Sequence, residues 1–180
     1  KSIMYAGEGE PLLHKKINEI VQATYDAGID ISFTTNGTHM DEAFIKSSLP
    51  LIQWIKLSVN AGKPATYAKI HQTKERDFDK VIENIAKATR VKREQNLTST
   101  IGVQTLLLPE NADEIEELAR LCRDELNVDY LVIKSYSQVE MSHNKKYAKI
   151  DYSPYINIVE RLDAWNTDKF KVIFRENSIN

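Results

Sequence analysis

Two rhythms of apolar residues alternate along this chain: short, nearly continuous apolar runs, and longer stretches in which apolar side chains return every three or four positions. The first rhythm predicts strands buried in a sheet, and the second predicts amphipathic helices. Strands are expected at Ser2–Ala6, Ile29–Thr34, Ile52–Val59, Thr100–Leu108, Val128–Ile133 and Phe170–Phe174. Between them, Ile17, Ile20, Val21 and Thr24 share a helix face that ends at a Gly28 C-cap. A short helix is expected over Met40–Ser47, halted by Pro50, and a long one gathers Phe78, Val81, Ile82 and Ile85. The far end of that long helix, near Lys92 and Arg93, is expected to be solvated, and the stretch through Tyr67 and His71 to be a loop. Asn111 and Glu114 stand at capping-box spacing before a helix that buries Ile115, Leu118, Ala119 and Cys122. A polar loop over Ser135–Lys149 and a last helix through Tyr155, Ile158, Val159 and Leu162 precede the final strand.

Strands and helices in strict alternation predict an α/β fold with parallel strands. Consecutive parallel strands tend to lie side by side, so the series is expected to curl into a partial (βα) TIM-type barrel. Ligands in such folds sit at the carboxyl ends of the strands. That rule selects Gly7–Pro11, Thr34–Thr38, Ser58–Gly62, Gln104–Pro109 and Lys134–Ser137, segments rich in small or polar groups.

Composition narrows the partners. With 180 residues, 42% hydrophobic and 28% charged, the chain suits one globular domain. A net charge of -2 with both signs interspersed offers no basic field for nucleic acid. No apolar run approaches a membrane span, and no leader pattern opens the chain, so a cytoplasmic protein with neither membrane nor nucleic-acid partners is expected. The single cysteine, Cys122, cannot by itself hold an iron–sulfur cluster or a structural zinc ion. The first residue is Lys1 and the first strand follows at once, which suggests one core domain over residues 1–180 truncated at its N-terminus.

Three strand ends carry candidate chemistry. Gly7-Glu8-Gly9-Glu10-Pro11 combines glycines that admit a ligand close to the backbone with carboxylates that accept hydrogen bonds from an ammonium group. It also reads as a plain strand-to-helix turn with Glu10 at a helix N-terminus. Asn36-Gly37 within Thr34–Gly37 is a common turn dipeptide, though its neighbours add hydroxyls. Ser58 and Asn60, two apart on a strand, would point to one side and meet vicinal hydroxyls, or else mark a strand leaving the core. His14, His39, His71 and His143 lack paired metal-ligand spacing, and His71 is at most a substrate-side contact. Trp54 and Trp165 read as packing residues, and Tyr147, Tyr152 and Tyr155 as helix and loop surface.

Read in order, these segments resemble the radical S-adenosylmethionine (SAM) enzymes. Gly7-Glu8-Gly9-Glu10-Pro11-Leu12-Leu13 resembles the glycine-glutamate-proline motif that ends their second barrel strand. Thr35-Asn36-Gly37 resembles the turn after their third strand, and Lys56-Leu57-Ser58-Val59-Asn60 their fourth, ribose-facing strand. Gln104–Asn111 and Val132–Ser137 are similar to the fifth and sixth strands, above all in peptide- and sugar-modifying branches. The likeness runs from Ser2 to Ser137 and rests on order and spacing rather than on any one motif.

The resemblance implies that Gly7, Glu8, Gly9 and Glu10 hold the methionyl amine of SAM, that Ser58 and Asn60 reach the ribose, and that Asn36 supports the site. It implies further that Gln104, Ile133 and Lys134 flank the adenine or the carboxylate. It also implies a 4Fe-4S cluster that reduces SAM to a 5′-deoxyadenosyl radical, which abstracts hydrogen from a small-molecule or peptide substrate. The electron donor would be a flavodoxin or ferredoxin. Two departures stand out: the three-cysteine cluster segment is missing from this sequence, and Glu8 occupies a position where many members carry glycine. Alternatives from other classes are a class I aldolase-like lyase that forms a Schiff base through Lys134 or Lys56, and a non-catalytic barrel fragment that only binds.

Overall fold

The computed structural model describes residues 1–7, 9–136, 146–147 and 150–175, apart from the side chains of Ile156, Val159 and Glu160. Glu8, Ser137 and His143, singled out above, lie outside the described residues. Six parallel strands form one sheet in chain order: β1 (Ser2–Tyr5), β2 (Asp30–Thr35), β3 (Trp54–Ser58), β4 (Thr100–Leu107), β5 (Tyr130–Ser135) and β6 (Lys171–Arg175). Among the described residues β1 and β6 do not pair with each other, so the sheet is open rather than a closed barrel. All six predicted strands are present, with ends shifted by one or two residues. β3 starts later than expected because Leu49–Leu51 winds into a short 3₁₀ turn capped by Ile52.

Helices link the strands: α1 (Ile17–Asp26), α2 (Glu42–Ser47), α3 (Pro64–His71), α4 (Glu75–Glu94), α5 (Ile115–Arg120, continued by a π-helical turn to Leu126) and α6 (Ile156–Leu162). Side chains alternate across a strand, and one set (Ile31, Phe33, Ile55, Leu57, Ile101, Val103, Leu131 and Ile133) enters a continuous core with the helices. The long helix α4 contributes Phe78, Val81, Ile85 and Ala88 to that core. The other set faces the open side of the sheet and is largely polar: Ser32 and Thr34, Trp54, Lys56 and Ser58, Gln104, Tyr130 and Lys134. No helix among the described residues is long and apolar enough to cross a membrane.

Three local expectations give way. The stretch through Tyr67 and His71 is the helix α3, started by Pro64 at its first turn and closed by Gln72 in the left-handed conformation. Only Tyr67 of that helix is fully buried, so its sequence carries no amphipathic signal. Lys92 is not simply solvated: its Nζ lies 2.6 and 2.5 Å from the two carboxylate oxygens of Asp129, which also accepts the Ile101 N–H. That pair ties the end of α4 to the starts of β4 and β5. Asn111 and Glu114 form no capping box, because Asn111 reaches the Asn60 carbonyl beyond β3 and Glu114 accepts from Gly62 and from Thr66 of α3 instead.

Mid-strand Gly102 is required by its neighbour. It sits in register with Tyr130, and a Cβ at Gly102 would stand 2.1 Å from the Tyr130 ring. Gly102→Ala is therefore expected to cost about 1–3 kcal/mol, the usual penalty of overpacking. In urea unfolding, the double variant Gly102→Ala/Tyr130→Ala should lose markedly less than the sum of the two single variants; strict additivity would contradict this contact.

Candidate functional site at the carboxyl ends of the strands

After β1 the chain passes through Gly7 (φ 133°) and Gly9 (φ 115°), backbone conformations that side chains resist. It then turns into the 3₁₀ segment Pro11–Leu13. Glu10 caps that segment and crosses to the next strand end. Its Oε1 accepts the Leu12 N–H at 3.0 Å and the Thr35 hydroxyl at 2.5 Å, and its Oε2 accepts the Asn36 N–H at 2.8 Å. A carboxylate offers about four acceptor positions. With one bond received at Oε2, that oxygen keeps a position for a ligand donor. The Thr35-Asn36-Gly37 turn is held from its other side by buried Asn84 of α4, which donates to the Gly37 carbonyl at 2.9 Å. Asn36 closes the turn itself by accepting from the Thr38 N–H and hydroxyl.

These pinned loops frame a cavity of about 470 Å³ lined by Ala6, Gly7, Gly9, Glu10, Thr34, Thr35, Asn36, Ser58 and His71. Small-molecule sites commonly span about 300–1,000 Å³. The structure thus brings together Gly7, Gly9, Glu10, Asn36 and Ser58 of the predicted set. Gln104 lies on the next strand in register with Ser58, and its side-chain oxygen is buried without a hydrogen-bond partner. An orphaned buried acceptor is costly unless something donates to it.

The remaining predicted residues are placed differently. Asn60 lies beyond the end of β3 in a left-handed conformation (φ 58°), so strand alternation does not set its direction. Its Oδ1 accepts the Leu106 N–H at 2.8 Å, and its backbone carbonyl accepts from the Asn111 amide at 2.8 Å. Asn111, fully buried, also accepts the Leu108 N–H and donates to the Leu106 carbonyl. Glu114 completes the brace by accepting the Gly62 N–H and the Thr66 hydroxyl. Asn60 is therefore part of a scaffold joining the ends of β3 and β4. The Ile133 side chain belongs to the helix-side core, because it alternates away from the open face. Lys134 faces the open side but lines a separate cavity with Lys56 and Arg175.

His71 is the residue that sequence reading undervalued. It ends α3, and its Nε2 lies 2.9 Å from the Val59 carbonyl. That oxygen can only accept, which assigns the proton to Nε2 and leaves Nδ1 as an acceptor. The imidazole stacks on buried Tyr67 with ring centroids 4.2 Å apart. Burial lowers the His71 pKa, opposed in part by the bond to Val59. Burial also pushes the Tyr67 phenol up to about 12, helped by the charges of Asp77 and Glu10. The only sequence cue for His71 was its place after the Ser58 strand end.

No cluster site is built among the described residues. Cys122 is buried in the core with its thiol pKa pushed far up by burial, and no group of three His, Cys, Asp or Glu residues could hold a metal ion among the described residues.

Residues 1–122 match the family described as the Radical SAM superfamily. The chain belongs to that superfamily. It is 34% identical over 125 residues to a probable GTP 3′,8-cyclase of Methanocaldococcus jannaschii, covering 69% of this chain and 39% of that protein. It is 25% identical over 172 residues to a GTPase Obg of Brachyspira hyodysenteriae, covering 87% of this chain but 25% of that one. The sequence has no glycine-rich phosphate loop ending in Gly-Lys-Ser or Gly-Lys-Thr, since Gly62-Lys63 is followed by Pro64, so the matched radical SAM chain carries no P-loop signature of its own. Among solved structures, Streptococcus suis SuiB bound to S-adenosylmethionine superposes with a TM-score of 0.69 at 16% identity, over 98% of this chain and 39% of that one. At that identity the likeness speaks to the fold, and the radical SAM chain is an α/β partial barrel as expected.

A depressed His71 pKa makes the folded state take up fewer protons than the unfolded chain below the ordinary histidine value of about 6.5. Its contribution to stability is complete above that value and is lost as pH falls through the window beneath it. Urea unfolding at pH 7.5 and 5.5 should show that loss, and His71→Gln should reduce it; an identical pH dependence in the variant would contradict the placement.

Proposed function

We propose that this radical SAM chain binds S-adenosylmethionine at the ends of β1 to β4. The methionyl amine would lie at Gly7, Gly9 and the free Oε2 position of Glu10, and the nucleoside would run toward Ser58 and Gln104. The observation that carries this reading is the pinned Glu10 carboxylate: it is fixed by bonds to Leu12, Thr35 and Asn36, yet keeps one acceptor position at the cavity wall. The orphaned Gln104 oxygen beside Ser58 supports the second half of the placement by supplying an unmet acceptor for a nucleoside donor.

In this superfamily bound SAM supplies, after one-electron reduction, a 5′-deoxyadenosyl radical that takes a hydrogen atom from substrate. This chain's residues would orient the cofactor and keep water from it: the two glycines let the backbone approach, the Thr35-Asn36-Gly37 turn holds the wall, and His71 presents Nδ1 as a neutral acceptor. The described residues contain no ligand set for the cluster. The chain spans 39% of the length of its cyclase relative. The lysine-dependent lyase reading has less support, because the cavity around Lys56 and Lys134 is lined by neither carboxylate nor histidine to serve as general acid and base.

Calorimetric titration of SAM into the anaerobically reconstituted full-length protein tests this reading. Ser58→Ala and Gln104→Ala should each weaken binding about threefold to tenfold, as expected for a net hydrogen bond. Glu10→Gln should weaken it more and lower the melting temperature, since an amide NH₂ cannot accept from its present donors. Unchanged affinity in both Ser58→Ala and Gln104→Ala would refute the placement.

A further inference from the structure

The open face of the sheet carries a second cavity, of about 500 Å³, that shares no lining residue with the first. Its walls are Trp54 and Lys56 of β3, Thr100 of β4, Tyr130, Val132 and Lys134 of β5, and Ile173 and Arg175 of β6. Three of these side chains are cations and none is an anion. Among the described residues, Lys56, Lys134 and Arg175 enter none of the ion pairs. The chain as a whole is slightly negative, so this concentration of positive charge is local.

The arrangement works against the sheet that carries it. Lys134 and Arg175 are direct neighbours in the β5–β6 register and project to the same face, where like charges destabilise strand pairing. Lys56 feels both: burial first, then the charges of Lys134 and Arg175, lower its pKa. Gly102 adds to the shape of the cavity, since its missing side chain lets the Tyr130 ring lie across β4. Cations that repel one another on one cavity wall, with no counter-charge lining it among the described residues, mark a place where a ligand brings the negative charge.

We propose that this cavity binds the phosphoryl group of a small-molecule substrate through Lys56, Lys134 and Arg175, with the uncharged remainder of the molecule beside Trp54 and Tyr130. A carboxylate would neutralise one of the three cations. A phosphoryl group carries about −1.5 to −2 charges near pH 7 and three acceptor oxygens, and it accepts a forked pair of bonds from arginine while lysines serve as point charges. Lys134 thus acts on substrate rather than on the adenine or carboxylate of the cofactor. That this is the substrate site rests on the SAM reading above; that it holds a phosphoryl group does not.

The test is calorimetric titration of pyrophosphate into the full-length protein at fixed ionic strength, with and without saturating SAM, and with succinate as the carboxylate probe. Saturable one-to-one binding is expected, with succinate at least tenfold weaker and SAM changing the pyrophosphate affinity by no more than about twofold. Lys134→Met and Arg175→Met should each weaken pyrophosphate binding about tenfold or more, while the ligand-free melting temperature stays level or rises because the repulsion is relieved. Equal succinate affinity, displacement of pyrophosphate by SAM, absence of saturable binding, or a fall in melting temperature in both variants would each overturn the proposal. Pyrophosphate binding in a protein that takes up no SAM would support this cavity and remove the cofactor reading of the other, so the two fail separately.

Discussion

Period-two alternation on strands laid parallel and in register is the constraint from which the rest of this structure follows. Each strand must give one set of side chains to the helices, because the apolar set of β2 to β5 is what closes the core. The complementary set is then forced onto the open face and aligned laterally, so that Ser58 meets Gln104 and Lys134 meets Arg175 without any contact of their own to arrange it. Polar residues are tolerated there because they leave the helix-side core intact.

Two braces convert that aligned face into sites. Glu10 fastens the glycine loop after β1 to the turn after β2, accepting from the Leu12 and Asn36 N–H groups and from the Thr35 hydroxyl. Asn60, Asn111 and Glu114 do the same between β3, β4 and α5, again with main-chain donors and acceptors as partners. Both braces pair short polar side chains with main-chain groups at fixed positions, so the walls of the first cavity are set before any ligand arrives. Preorganisation of this kind reduces the ordering that binding must otherwise impose.

The open face divides its chemistry along the sheet. Toward β1 and β2 it offers glycine backbone, hydroxyls and a single carboxylate, which suits a ligand with an ammonium group and sugar oxygens. Toward β5 and β6 it offers cations and aromatic rings, which suits a ligand of opposite charge.

The strands, their parallel order and the helix faces were legible from the apolar rhythm alone, because burial of one face per strand imposes that rhythm directly. The glycine loop and the Thr35-Asn36-Gly37 turn were legible as well, since few residues satisfy their backbone geometry. The tertiary structure decided the rest. α3 was hidden because a helix that buries only Tyr67 leaves no periodic trace. Asn60 was read as strand but sits in a left-handed turn that the buried Asn111 stabilises from fifty-one residues away. The capping role expected of Asn111 and Glu114 was lost to bonds across strand ends, and Lys134 was drawn to Lys56 and Arg175 rather than to Ser58. Local pattern fixes which way a side chain leaves its strand, whereas the partner it meets, and the conformation of the segments between strands, depend on which distant segment the sheet brings alongside.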